Sequence, residues 1–171
     1  MQTMRRYVVV YMACILLVTG FAGPVGAAPE EHVDPSARCA VCGMFVAKYD
    51  NWIVQVRLAD DKVMFFDGVK DMMVFYHDPG KYGNAAQEDI REIWVKDYYT
   101  LQWIDGREAL YVVGSDVYGP MGKEFIPFSS REAAESFMQD HHGEQVLGFA
   151  DIHEDLVQSM RSGMKMRHDQ Q

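Results

Sequence analysis

A chain of 171 residues, 49% of them hydrophobic, carries enough apolar side chain for one domain or two small halves sharing a core, which excludes wholesale disorder. Its 25 acidic residues outnumber 16 basic ones for a net charge of −9, which excludes the basic footprint of a nucleic-acid binder. Three cysteines are too few for a disulfide scaffold.

At the start of the chain, Arg5 and Arg6 precede an apolar run over residues 7–18 and a small-residue stretch over 19–28. That order is the grammar of a secretory signal, and Val25-Gly26-Ala27 places small residues at the −3 and −1 positions. The expected signal is therefore 1–27, and the rest of the chain is expected in the periplasm. An uncleaved membrane anchor is the competing reading, because residues 7–28 are long enough to span. Gly20, Gly23, Pro24 and Gly26 favour cleavage. Cleavage leaves 14 basic against 25 acidic residues, a net −11, and removes Cys14, so that Cys39 and Cys42 remain. Residues 28–37 are polar and proline-bearing, a linker with His32 in solvent.

The segment Arg38-Cys39-Ala40-Val41-Cys42-Gly43-Met44 then places two thiols and a thioether within six residues. These are soft donors, suited to Cu(I) far better than to Mg²⁺ or Ca²⁺. A bridge across two intervening residues would constrain little of the unfolded chain, so chemistry accounts for the pair better than stability does.

Residues 52–58, rich in β-branched and aromatic side chains, predict a strand, 59–62 a turn, and 63–66 a second strand of a hairpin. Asp67 has the character of an N-cap, and Val69, Met72, Met73 and Tyr76 recur at i, i+3, i+4 and i+7 along a helix. Asp78-Pro79-Gly80 ends it, 81–89 is a polar loop, and 90–99 carries a third strand. The order then repeats. Residues 109–113 predict a strand, 114–122 a glycine-rich connection and 124–128 another strand. Ser129 and Glu132 have capping-box spacing ahead of a helix bearing Ala133, Ala134, Phe137, Met138 and His141, which stops at Gly143. A closing strand covers 144–150. The expected architecture is α+β, two tandem ββαβ units over 38–99 and 100–152 sharing a core. In the tail, 153–171, an amphipathic stretch with Leu156 and Met160 frays toward Met164, Met166 and His168.

Several chemistries compete for the cysteine pair. A thioredoxin-like pair follows a buried strand and opens a helix; here a proline-bearing linker precedes it and Gly43 disfavours a helix start. A c-type haem site needs histidine where Gly43 stands. Structural zinc needs four ligands, and the adjacent His141 and His142 point apart on a helix. Cu(I) needs only two to four soft ligands, and the chain holds 12 methionines. Met64, Met72, Met73 and Met138 fall on apolar faces and read as core filler. Met44 and Met121 lie in glycine-flanked loops, where nothing in the pattern asks for filler, and are candidate ligands. His77, His141, His142 and His153 stand at helix ends, where carbonyls or solvent satisfy them.

Cys39-Ala-Val-Cys42-Gly43-Met44, Phe66-Asp67-Gly68 with Asp71-Met72, residues 100–103 with 109–113, Pro120-Met121-Gly122, and Phe128-Ser129 with the Ala133-Ala134/Phe137 helix together resemble the NosL family, copper-binding accessory proteins of nitrous oxide reductase maturation. The resemblance spans residues 38–152. It implies a monomeric Cu(I) carrier without turnover chemistry, which delivers copper to the reductase's copper–sulfide cluster, and a fold of two ββαβ halves related to organomercurial lyase. It implies copper ligation by Cys39, Cys42, Met44 and Met121, with the site between the halves. Asp67 and Met72 also match family positions, although an N-cap and a core role already account for them. One feature departs from the family: its members are usually lipoproteins, and the only cysteine in the signal, Cys14, comes far too early in the apolar run to end it. A soluble periplasmic protein, or one held by its uncleaved signal, is therefore expected. The alternative from another class is an enzyme, either a thiol–disulfide oxidoreductase or an organometal lyase using the cysteine pair with an acid such as Asp67.

Overall fold

Residues 28–168 are described by a computed structural model, with side chains as far as Ser162. The expected signal and the side chains of Met164, Met166 and His168 lie outside what it describes. The β-branched run Val54–Leu58 (β1) turns at Asp61, whose φ of 64° is left-handed, and pairs antiparallel with Val63–Phe66 (β2). Helix α1, Val69–His77, follows directly. Its apolar face is where the periodicity places it, but Lys70 and Asp71 are buried too, so the first two turns are enclosed on all sides. A short helical turn, α2 (Pro79–Gly83), takes up the start of the expected polar loop. Proline stands at its start, and the Asp78 carboxylate accepts from the Lys81 amide. Strand β3, Ile90–Lys96, pairs with the other edge of β1, and Trp103–Asp105 (β4) extends the sheet to the order β2-β1-β3-β4.

The second unit repeats the plan. Leu110–Val113 (β5) is flanked by Ile126–Phe128 (β8) and Gln145–Gly148 (β9), all antiparallel, with helix α3, Arg131–Asp140, between β8 and β9. In each unit the first strand pairs with the second on one side and with the strand after the helix on the other. The glycine-rich connection is a small hairpin, Tyr118–Gly119 (β6) with Gly122–Lys123 (β7), turning through Pro120 and Met121. Gly122 is left-handed at φ 83°. Helix α4, Glu154–His168, packs on α1 and runs further than the frayed tail expected of it.

Strand alternation sends β5 into two cores. Tyr111 and Val113 join the larger cluster with Phe66, Met72, Met73 and Phe75, while Val112 faces a smaller one of Ile126, Phe128, Ala134 and Phe137. The larger cluster therefore belongs to both units. A polar tie crosses between them as well. Asp97, at the end of β3 and 1% exposed, accepts from the Ser129 amide and hydroxyl at 2.7 and 2.8 Å, and from the Thr100 amide and hydroxyl at 2.9 and 3.0 Å. Burial pushes its pKa up, but these hydrogen bonds outweigh burial and hold the carboxyl below its ordinary value.

That tie corrects one expected cap. Ser129 is committed to Asp97, so α3 is capped by Ser130, whose hydroxyl accepts from the Ala133 amide at 3.2 Å. The other expected cap also moves. The N-cap of α1 is Gly68, and the Asp67 side chain points elsewhere.

Candidate metal centre

The cysteine loop is a closed turn. Arg38 and Phe45 face each other across an antiparallel bridge, the Cys39 amide donates to the Met44 carbonyl at 2.8 Å, and the Gly43 amide donates to the Cys39 carbonyl at 2.9 Å. Gly43 has a φ of 78°, and a β-carbon there would meet nothing within 4 Å, so backbone conformation alone requires glycine. Arg38 latches the turn from outside: its guanidinium donates to the Gly43 carbonyl at 2.9 Å and lies 3.8 Å over the Phe45 ring. The loop then docks along β2, where Cys39 bridges Phe65 and the Ala40 amide donates to the Phe65 carbonyl at 3.0 Å.

Docking on β2 sets the sulfurs against the start of α1. Asp67 follows β2 directly and Asp71 lies one helical turn on, so both carboxylates share a face. Cys39 Sγ donates to Asp71 Oδ2 at 3.4 Å, and Cys42 Sγ is 3.4 Å from each Asp67 oxygen. Ligand atoms of Cys39, Cys42, Asp67 and Asp71 all lie within 4.8 Å of one another, a group that could hold a metal ion. Cys39 is 3% exposed, whereas Cys42 is open to solvent; both are free thiols.

Two opposing effects act on the thiols. The Cys42 amide donates to Cys39 Sγ and the Met44 amide to Cys42 Sγ, and each favours thiolate. Burial and the two carboxylates oppose this and prevail, driving the Cys39 thiol far above its ordinary range and the Cys42 thiol up to about 12. The Asp71 carboxyl is also raised, first by burial and then by the charge of Asp67. Both thiols and the Asp71 carboxyl are thus biased toward their protonated forms. The metal-free site therefore holds protons that a cation can replace, while its amides are already aimed at the thiolates that result.

Of the sequence candidates, Cys39 and Cys42 come together as expected. Asp67 stands against Cys42, freed from capping because the carboxylate of Glu124 occupies the helix start: it accepts from the Lys70 amide at 2.5 Å. Asp71 was not among the candidate ligands; its signal is the i, i+4 spacing from Asp67. Met44 is half-buried, and its backbone shapes the turn from both sides, as acceptor for the Cys39 amide and donor to Cys42 Sγ. Met121 is half-buried at the β6–β7 turn, and its carbonyl accepts from Lys70 Nζ on α1 at 2.6 Å, so the second unit's hairpin reaches the helix that carries Asp71. Met72 is fully buried in the larger core. The ring of His77 pairs with the Ile152 carbonyl and that of His141 with Asp116, both at 3.0 Å, as expected of histidines at helix ends.

Paired ββαβ units with a thiol–carboxylate cluster packed on the first define a metal-binding class of α+β protein. The chain belongs to the NosL family, whose model matches residues 29–157. It is 29% identical to the copper-binding lipoprotein NosL of Achromobacter cycloclastes over 99% of this chain and 91% of that protein. It is 30% identical to the copper-binding lipoprotein NosL of Stutzerimonas stutzeri over 87% of this chain and 64% of that one. The crystal structure of the copper chaperone NosL from Shewanella denitrificans superposes with a TM-score of 0.66 at 25% identity, over 75% of this chain and 98% of the other. Among the described residues no helix is long and apolar enough to cross a membrane.

Proposed function

We propose that this chain is an exported, monomeric Cu(I) carrier that works in the periplasm, receives the ion on Cys39 and Cys42 with Met44 and Met121 completing the site, and passes it to nitrous oxide reductase for assembly of the copper–sulfide cluster. The observation that carries the reading is the asymmetry of the pair: one sulfur buried against α1, the other open to solvent, both within one 4.8 Å cluster. Thiolate and thioether donors match the softness of Cu(I). The buried thiolate holds the ion while the exposed one yields to an incoming ligand, so transfer proceeds by exchange and never leaves copper bare. Asp67 and Asp71 hold the pair as hydrogen-bonded thiols before loading and surround the bound cation with negative charge afterwards. The relatives' names, copper-binding and copper chaperone, agree with this reading.

The thiols also weigh against a thiol–disulfide oxidoreductase, whose attacking cysteine needs a depressed pKa; here both are raised. Loading is linked to pH. With both thiols protonated near neutrality, Cu(I) displaces two protons, so affinity rises by about a hundredfold per pH unit until the pH approaches the thiol pKa values. Competition of the reduced protein against a moderate Cu(I) chelator at about pH 7 and pH 8 measures that slope. Failure to compete at all, or insulin reduction or organomercurial cleavage by the metal-free protein, would sink the carrier reading in favour of an enzyme.

A further inference from the structure

Two buried charged residues beside the site, Lys70 at 0% and Glu124 at 3% exposure, take no part in the chemistry above. From α1, Lys70 grips the 121–124 segment at three points. Its amide donates to Glu124 Oε1 at 2.5 Å, and its ammonium donates to the Met121 carbonyl at 2.6 Å and the Lys123 carbonyl at 2.7 Å. The next residue along the helix, Asp71, faces Cys39. The hairpin that presents Met121 has only two residues in each strand and turns through a left-handed glycine, so its own ladder fixes little.

We propose that Lys70 is a positioning residue for copper: by holding the carbonyls on either side of Gly122, it sets where the Met121 thioether stands relative to Cys39, Cys42, Asp67 and Asp71. The proposal rests on the copper reading above, in which Met121 is a ligand. Lysine suits the task because its long stem crosses the core and its ammonium offers several donors to backbone carbonyls at once. An apolar residue of the same length would leave both carbonyls without that donor and the hairpin free to shift.

A double-mutant cycle on the full chain tests this, with Cu(I) alone as the probe and chelator competition as the readout. In the wild-type background Met121→Ala is expected to weaken Cu(I) by about tenfold, and Lys70→Met by about as much. In the Lys70→Met background, Met121→Ala should change affinity by less than about twofold, because the thioether has already lost its place. A Lys70 that merely stabilises the fold would lower the melting temperature and leave the full Met121→Ala penalty intact, and that result overturns the proposal. No penalty for Met121→Ala in the wild-type chain would remove the thioether from the site and the proposal with it; Cys42→Ser read in parallel separates that outcome from a chain that binds no Cu(I). If Lys70→Met does not fold, Lys70→Arg, which keeps the charge but alters the reach, enters the same cycle under the same criterion.

Discussion

Cys42→Ser is expected to weaken Cu(I) binding by more than about a hundredfold, beyond the loss that an outer-shell change produces, while leaving the fold intact. Cys42 is exposed, and its thiol faces Asp67, so a hydroxyl in place of the thiol removes a soft donor and little packing. Cys39→Ser should weaken binding to a similar degree. At that buried position the serine hydroxyl would still face Asp71, an acceptor for the proton the thiol donates now, so the chain should fold. Chelator competition with each reduced variant, alongside circular dichroism of the metal-free protein, separates lost metal from lost fold. Wild-type affinity in Cys42→Ser would place the copper elsewhere.

Gly68→Ala is expected to destabilise the protein by about 2–5 kcal/mol and lower its melting temperature by on the order of 10 °C. The cause is space. Gly68 has φ 175° and ψ 165°, extended backbone that alanine adopts freely. A β-carbon there would stand 2.2 Å from Glu124 Oε2 and 3.0 Å from Glu124 Cδ. The carboxylate would have to leave the start of α1, where it accepts from the Lys70 and Phe125 amides, and both donors would be left buried without it. Thermal unfolding of metal-free Gly68→Ala checks this, and a melting temperature equal to that of wild type would mean that the contact yields at no cost.

Glu124 also explains where the sequence misleads. Aspartate just before an apolar-periodic run is among the commonest N-caps, so Asp67 reads as one. The real requirement at that helix start is met by a carboxylate 54 residues beyond Lys70, and no local pattern reports it. Asp67 is thereby released to face Cys42. The Ser129–Ser130 pair fails in the same way: either residue could cap α3, and the choice falls to Asp97, in the other unit. Asp71 and Lys70 look like solvated residues on an amphipathic helix until the second unit and the cysteine loop cover them. Features governed by neighbours along the chain were legible instead. The glycine after Cys42 tells against a helix start, the alternating and helical periodicities announce two ββαβ units, and the β6–β7 turn stands out because nothing in its pattern asks for a methionine as core filler. What depended on distant pairing, including the short strand β4 and the reach of α4 along α1, was not.

X-ray absorption at the copper edge of the reduced, Cu(I)-loaded protein tests the central claim most directly, because it reports the type and number of donor atoms whatever their place in the chain. A shell containing at least two sulfur donors, reduced in both Cys39→Ser and Cys42→Ser, is the expected result. A shell of nitrogen and oxygen alone, unchanged by either substitution, would contradict it.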